Sequence, residues 1–240
     1  MRDPVRRMIP RTILVLLVVA GSSFAALAVD GVIEINQTRA LAGDVTPGDF
    51  GGFPVWITQP GSYRLTGDLI PPPGIDGINI QSDNVTLDLN GFGVFGSGEV
   101  GANDGIIFTD PNVEIRNGSV RGFLRHGIFG AGIGSTHARV IDVRAYNNQI
   151  GGIYLEAEGS LVDRCSTFDN GWYGIRATGN GSLVTNSVAQ GNTLEGMFLG
   201  SRTGYRSCTL VDNNGGNFNP QVSSGRELGE NVCGNDLVCP

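Results

Sequence analysis

Residues 152–173 read GIYLEAEGSLVDRCSTFDNGWY, residues 174–195 read GIRATGNGSLVTNSVAQGNTLE, and residues 196–214 read GMFLGSRTGYRSCTLVDNN. The first two segments have equal length and superimpose without a gap. Each opens on Gly and an apolar residue, carries Leu-Val nine residues on, and reaches Asn after eighteen. The same opening recurs upstream at Gly77-Ile78, Gly105-Ile106 and Gly127-Ile128, so the steps along the chain are 28, 22, 25, 22 and 22 residues. The shortest step is the structural unit, and the longer ones are that unit with loop insertions.

Three short strands per unit account for the pattern. After each Gly, the next residue is Ile78, Ile106, Ile128, Ile153, Ile175 or Met197, and two further on stand Ile80, Phe108, Gly130, Leu155, Ala177 or Leu199. A period of two is a strand with one buried face. A second strand follows at Val85–Leu89, Val113–Ile115, Val140–Val143, Leu161-Val162 and Leu183-Val184. A third apolar position appears at Phe123, Tyr146, Phe168 and Leu210. Asn147-Asn148, Asp169-Asn170, Gly191-Asn192 and Asn213-Asn214 punctuate the units. Asn tolerates left-handed backbone, and stacked amides can hydrogen-bond along a pile of coils. A leucine-rich repeat has a similar period but needs Leu-x-x-Leu-x-Leu, which is absent, and a sandwich would not place Ile in register at every coil.

At these residues the chain resembles the right-handed parallel β-helix repeat proteins with a pectate-lyase-like fold, the PbH1 repeat class. The resemblance covers roughly residues 60–218 and is best at Asn84–Gly91 (NVTLDLNG) and Asn170–Ile175 (NGWYGI). It implies an all-β, right-handed, single-stranded parallel β-helix of about six to seven coils of ~22 residues. Residues 29–70 are expected to form an N-terminal cap and first strands, 71–218 the coils, and 219–240 a tail folded over the C-terminal side. A fold of this kind specifies activity poorly.

The first 28 residues read as a signal peptide: Arg2, Arg6, Arg7 and Arg11, then the apolar run Ile13–Ala20, then Ala26-Leu27-Ala28 as a cleavage site. A membrane anchor is the alternative, although the uncharged run barely reaches the roughly 18–20 residues of a span. The Arg6-Arg7 pair leaves twin-arginine and general secretory export both open. The protein is therefore expected to be secreted or periplasmic, with no membrane contact after cleavage. The chain contains no Lys, and its formal charge is -7. Loss of four Arg and of Asp3 leaves the mature part at -10. That balance argues against nucleic acid and against unaided binding of polyanions. Neutral glycans, or anionic ones bridged by Ca²⁺, fit it better.

In an oxidising compartment Cys233 and Cys239 are expected to pair. Cys165 and Cys208 occupy equivalent positions two coils apart, with Ser187 between them. Their Cα atoms would be roughly 9.6 Å apart at ~4.8 Å per rung, beyond the roughly 7 Å limit of a disulfide. They are expected to be buried free thiols.

The chemistry of the fold relatives was sought residue by residue. Pectate lyases of this fold hold Ca²⁺ with acids and use a basic residue to take a proton beside a carboxylate; polygalacturonases use clustered Asp. This chain has no Asp-Asp pair and no Asn-Thr-Asp. Arg is a poor base with a pKa above about 12. Asp142 and Arg164 fall at matching positions in adjacent coils and are weak catalytic candidates, better read as a surface ion pair. Asp163, Arg144 and Glu114 lie near them in the pattern. His126 and His137 are the two histidines, no zinc spacing exists, and no metal or cofactor is expected beyond weak Ca²⁺ on acidic turns. Gly91–Gly96 matches G-x-G-x-x-G but no helix follows, so it is a coil turn. Sequons at Asn36, Asn84, Asn117 and Asn180 carry no meaning without a glycosylating host.

The outward positions are more informative. Two residues after the Gly stand Asn79, Ile107, Phe129, Tyr154, Arg176 and Phe198; just before the Gly pairs stand Arg125-His126, Trp172-Tyr173 and Glu195. Phe129, Tyr154, Trp172, Tyr173, Arg176 and Phe198 thus form an aromatic stripe suited to sugar rings, unless the tail or the Ala131–His137 loop covers it. The expected function is a non-catalytic module that binds a polysaccharide, cell-surface glycan or other surface, or that serves a structural role. The alternative is a polysaccharide lyase or glycoside hydrolase acting on a plant or microbial polysaccharide.

Overall fold

The computed structural model describes residues 31–99, 101–216, 219–234 and 239. The expected signal peptide, residues 1–28, lies outside them. The chain is a parallel β-helix of about eight turns: strands one turn apart are paired in parallel throughout.

The Gly-Ile strands form one sheet of eight, from Val55–Ile57 and Ile78–Ile80 through Gly151–Leu155 and Tyr173–Ala177 to Val222–Ser223. This is the first face. The other fourteen strands form one continuous sheet with two faces. Its second face holds Val32–Ile35, Gly61–Leu65, Val85–Asp88, Leu161–Asp163, Leu183–Thr185 and Gly204–Arg206 among others, and its third face holds Gly93–Phe95, Ser166–Phe168, Val188–Gln190, Thr209–Val211 and Val232–Cys233. The eight-residue strands Glu114–Arg121 and Arg139–Tyr146 run through the corner between these faces and join them. At that corner Asn117, Asp142, Arg164, Asn186 and Ser207 stack in the left-handed region, with φ of 58, 54, 52, 50 and 51°. Asn and Asp adopt it most readily among residues with a side chain.

The first-face expectation of alternation holds. Ile78, Ile106, Ile128, Ile153, Ile175 and Met197 are completely buried. The Gly before each Ile is required by space. A Cβ placed on Gly152 would lie 2.7 Å from the Gly174 carbonyl oxygen and 3.0 Å from Asn170 Nδ2. One placed on Gly196 would lie 2.7 Å from Asn213 Nδ2. The glycines therefore make room for an amide column inside the next corner. Asn148 Nδ2 donates to Asn170 Oδ1 (3.1 Å), Asn170 to Asn192 (2.9 Å), Asn192 to Asn213 (2.8 Å), and Asn213 to Gln221 Oε1 (3.0 Å). Each Oδ1 or Oε1 also accepts the backbone N–H of the Asn below it. In a buried corner this saturates donors that would otherwise be left unpaired.

Three sequence expectations need correction. The repeat count was low, because the first sheet has rungs at Val55–Ile57 and Val222–Ser223 that lack the Gly-Ile opening. The segment from residue 219 is not a tail laid over the side: Val222–Ser223, Arg226–Glu227 and Val232–Cys233 extend all three faces by one more turn. Tyr146 and Phe168 are not inward partners of Phe123 and Leu210. Ala145, Thr167, Ala189 and Leu210 fill the inside, while Tyr146 and Phe168 project outward and stack at 4.5 Å.

At the N-terminal end the helix Gln37–Ala42 is capped by Asn36, whose side chain accepts from Arg39 N at 3.0 Å, and it buries Ala40. Near the C-terminal end Cys233 and Cys239 are disulfide-bonded, with Cα atoms 5.2 Å apart. Cys165 and Cys208 are free and buried, and Cys165 N donates to the intervening Ser187 hydroxyl. Burial pushes the Cys165 thiol up to about 12, and burial likewise raises Cys208. Thiolate is the reactive form. Neither thiol should react with an aromatic disulfide reagent at pH 8 in the native state, and both should react in denaturant. Rapid native labelling would mean that the coils around them open.

Candidate functional site

The two weak catalytic candidates sit at the corner between the second and third faces. Arg164 binds Asp142 with two parallel bonds, Nε to Oδ1 at 2.8 Å and Nη2 to Oδ2 at 2.9 Å, and also contacts Asp163. Hydrogen bonding from Arg164 holds the Asp142 carboxyl below its ordinary range. Both residues occupy the left-handed column, so their pairing follows from the stacking of equivalent corner positions in adjacent coils. Both are exposed, and such pairs are worth at most ~1 kcal/mol. The second face carries similar pairs, Glu34–Arg64 at 3.0 Å and Asp88–Arg116 at 3.1 Å, with Glu114 held by Arg116 and Arg139. Among the described residues no group of three or more His, Cys, Asp or Glu side chains is arranged to hold a metal ion.

The outer side of the first face is different. Asn79, Ile107, Phe129, Tyr154, Arg176 and Phe198 stand in one column, rung above rung. Phe129 and Tyr154 stack at 5.1 Å. The Arg176 guanidinium lies 4.3 Å from the Tyr154 ring centre, 5.0 Å from Phe198 and 5.4 Å from Tyr173. Its Nε is buried and has no hydrogen-bond partner. Burial pushes the Tyr154 phenol up to about 12, so it stays a neutral donor near pH 7. Val222–Ser223 continues the sheet in register and does not cross the column, but the expected exposed stripe needs correction at Phe129, which is buried at 8% exposure beneath its neighbours, while Tyr154, Arg176 and Phe198 are half-buried. The Ala131–His137 loop bends toward Glu156, whose carboxylate accepts from Gly132 N, and leaves Ile133 exposed.

A second column runs beside the first. It consists of the residue before each Gly: Asp76, Asp104, His126, Gly151, Tyr173 and Glu195. Asp104 accepts from both His126 N (3.0 Å) and His126 Nδ1 (2.9 Å), and its other oxygen is ion-paired with Arg125 at 3.1 Å. Asp104 is 1% exposed. Asp76 in turn accepts from Asp104 N at 2.7 Å, and burial raises its carboxyl above the ordinary range. Reading the sequence by Gly pairs selected His126 but missed Asp104 and Asp76. The signal was present, since all three precede a Gly of the ladder.

Gly151 is the rung without a side chain. It separates His126 from Tyr173, and a Cβ there would lie 3.3 Å from His126 Cδ2 and 3.9 Å from Tyr173 Cδ2. Gly151 and His126 are both buried, and the His126 ring packs against Phe129 (4.9 Å) and Tyr154 (5.3 Å), so this rung is covered. Tyr154 and Arg176 stand beside it. Trp172, at the corner after this column, is 48% exposed and meets Tyr173 edge-on at 6.0 Å. The ring faces of Phe129 and Tyr154 are largely used by each other, by Arg125 and by Arg176. Trp172 is thus the ring of this stripe with most surface to offer a ligand.

No protein-family model and no curated protein matches the chain. Among solved structures it is similar to the A-module of the Azotobacter vinelandii mannuronan C-5 epimerase AlgE4, with 16% identity and a TM-score of 0.52 over 82% of this chain. It spans 63% of that module's length. The A-module of the AlgE6 epimerase of the same organism (16% identity, TM-score 0.32, 72% of this chain and 68% of that one) and the Dettilon tailspike protein (17%, 0.37, 65% and 39%) are also similar, more remotely. Likeness at this identity concerns the backbone path and not the chemistry of the site. With the ladders described above, it shows the chain to be a parallel β-helix protein.

Proposed function

We propose that the protein is an exported glycan-binding β-helix whose first face holds a polysaccharide, with Trp172 as sugar platform and Arg176 as contact for a carboxylate or sulfate. The reading is carried by Arg176. Its guanidinium is held over three rings, and its buried Nε is unpaired. Rings position a cation without neutralising it, and a planar fork of donors suits a carboxylate or sulfate. The overall negative charge opposes a polyanion at long range, but the Debye length is about 8 Å at physiological salt, so contacts at short range to Arg176 dominate. The structural likeness to an epimerase whose name records a polysaccharide substrate agrees with a glycan partner. The disulfide agrees with export.

The test is retention on immobilised polygalacturonate, alginate and a neutral glucan. Trp172→Ala is expected to weaken retention on all ligands that bind, by about tenfold, in line with the ~1.4 kcal/mol per decade of affinity. Arg176→Ala should remove the preference for the charged polymers. Wild-type retention by both variants, with unchanged circular dichroism, would overturn the reading.

A catalytic reading is favoured by one observation, the buried Asp104–His126 pair beside Tyr154. A His oriented through Nδ1 by a buried carboxylate can use its other nitrogen as a base. As a lyase, the protein would release unsaturated ends absorbing near the ultraviolet, and His126→Ala would abolish that release while Asp142→Ala would not. A hydrolase would release reducing ends instead. Absence of both products leaves binding as the function.

A further inference from the structure

The third face presents a column that the glycan reading does not use. Phe95, Arg121, Tyr146 and Phe168 stand on successive rungs and project outward. The Arg121 guanidinium lies 4.4 Å from the Phe95 ring centre and 6.0 Å from Tyr146, and Tyr146 stacks on Phe168 with planes 12° apart. Arg144 stands two residues before Tyr146 on the same strand, paired with Ser119 of the strand that carries Arg121. It is exposed. Among the described residues neither Arg121 nor Arg144 makes an ion pair, whereas Arg64, Arg116, Arg139 and Arg164 on the second face and its corner all do.

The strand positions around the two arginines are uncharged. The outward positions in register with the two arginines are Gly93, Ser119, Ser166, Val188 and Thr209 in one column and Gln190 and Val211 in the other. No carboxylate occupies them. The nearest acids in the register, Asp169 and Asp212, directly follow Phe168 and Val211 at the end of these strands. Beside Arg144 the surface dips into a shallow recess of about 350 Å³, lined by Gly91, Asn117, Gly118, Asp142, Val143 and Arg164, in which Arg164 holds the exposed Asp142 carboxylate. Gly118 is close-packed, with a Cβ there falling 2.4 Å from the Phe92 carbonyl oxygen, so the recess cannot be filled from that position. Two uncompensated guanidinium groups on neighbouring rungs, in a chain of net charge -7, are an unusual concentration of positive charge. Stacking uses the flat face of Arg121 and leaves its N–H edge for a ligand.

We infer that the third face is a second binding surface, which takes an oligosaccharide bearing carboxylate or sulfate groups across Arg121 and Arg144. It is separate from the first face and does not depend on the Arg176 reading. A molecule with both surfaces occupied joins two glycan chains. The rings of Phe95 and Tyr146 hold Arg121 in place, and the half-buried Ser166 stands in register with Arg144.

The experiment is titration calorimetry with a galacturonate hexamer and, separately, a fully sulfated hexasaccharide, on the full described chain at two salt concentrations. The partner chemistry is decided by which probe gives the tighter site. Wild type is expected to bind two equivalents. Arg121→Ala/Arg144→Ala should bind one, and Trp172→Ala/Arg176→Ala should bind the other. Arg144→Glu, a change at an exposed position outside the ring stack, keeps the proposal testable if the double variant is unstable, and should weaken the third-face site at least tenfold. Unchanged stoichiometry and affinity for Arg144→Glu would overturn the inference. If the third-face variants lose all binding while Trp172→Ala/Arg176→Ala loses none, this surface stands and the first-face reading falls.

Discussion

Replacing Asn170 by Ala is expected to cost about 3–4 kcal/mol of folding stability and to lower the urea midpoint by more than ~1 M. The Asn170 side chain accepts from Asn148 N and Asn148 Nδ2, both at 3.1 Å, and donates to Asn192 Oδ1 at 2.9 Å and to the Ala145 carbonyl at 3.1 Å. Alanine cannot restore any of these bonds. It leaves the Asn148 N–H without a partner in a corner where Asn148 and Asn170 are each 1% exposed. A buried donor left unmade costs about 1–3 kcal/mol, more than the bond itself contributed. Asn170→Asp keeps the acceptor, loses both donations and buries a charge, so it should be at least as damaging. A midpoint shift below ~0.3 M for Asn170→Ala would mean that water enters the corner and that the column is not what holds it.

The second large effect is expected at Gly174. A Cβ there would lie 2.5 Å from Thr167 Oγ1, 2.7 Å from the Gly196 carbonyl oxygen and 2.8 Å from Asn192 Nδ2. Two of the three neighbours are anchored, one in the backbone and one in the amide column. Overpacking of this kind costs roughly 1–3 kcal/mol, and the upper end is expected because neither neighbour can rotate away. Gly181→Ala is the control. Gly181 has φ of +69° with nothing within 4 Å of a built Cβ, so its cost should be the ~1 kcal/mol of left-handed backbone alone. Equal urea midpoints for the two variants would refute the spatial explanation of the Gly-Ile ladder.

These two residues also show why much of the fold was legible in the sequence. Gly174 and Asn192 recur at a fixed interval because each occupies space that the other defines, and a steric requirement repeated every turn leaves a periodic mark. The outward column through Phe129, Tyr154 and Arg176 followed from the same register. What was not legible broke the alternation. The left-handed residue at the second corner, Asp142 in one turn and Arg164 in the next, resets the phase of inside and outside. After it, Thr167 points in and Phe168 points out, the reverse of what their polarity suggests. Thr167 is tolerated inside because its hydroxyl lies 3.4 Å from the Val188 carbonyl oxygen, and Phe168 outside because Tyr146 covers one of its faces. The last turn was missed since Val222, Arg226 and Val232 carry no Gly-Ile opening. The Asp104–His126 pair, 22 residues apart, was missed because the residues before the ladder glycines were compared only where they carry rings, Arg or Glu, and not back to Gly105.

The coils keep their register even where the chain lengthens. Ile78 still pairs with Ile106 across a step of 28 residues, and Ile128 with Ile153 across one of 25. The surplus is spent in turns, so every strand advances the molecule by one rung, about 4.8 Å, whatever the loop between contains. The surface is in effect a ruler with a fixed graduation. A flexible polymer lying along the axis meets contacts only at multiples of that interval, and one with a different repeat drifts out of phase after a few units. Binding sites built on such a ruler are therefore short and discrete, and their selectivity is a matter of commensurate spacing as much as of the groups presented at any one mark.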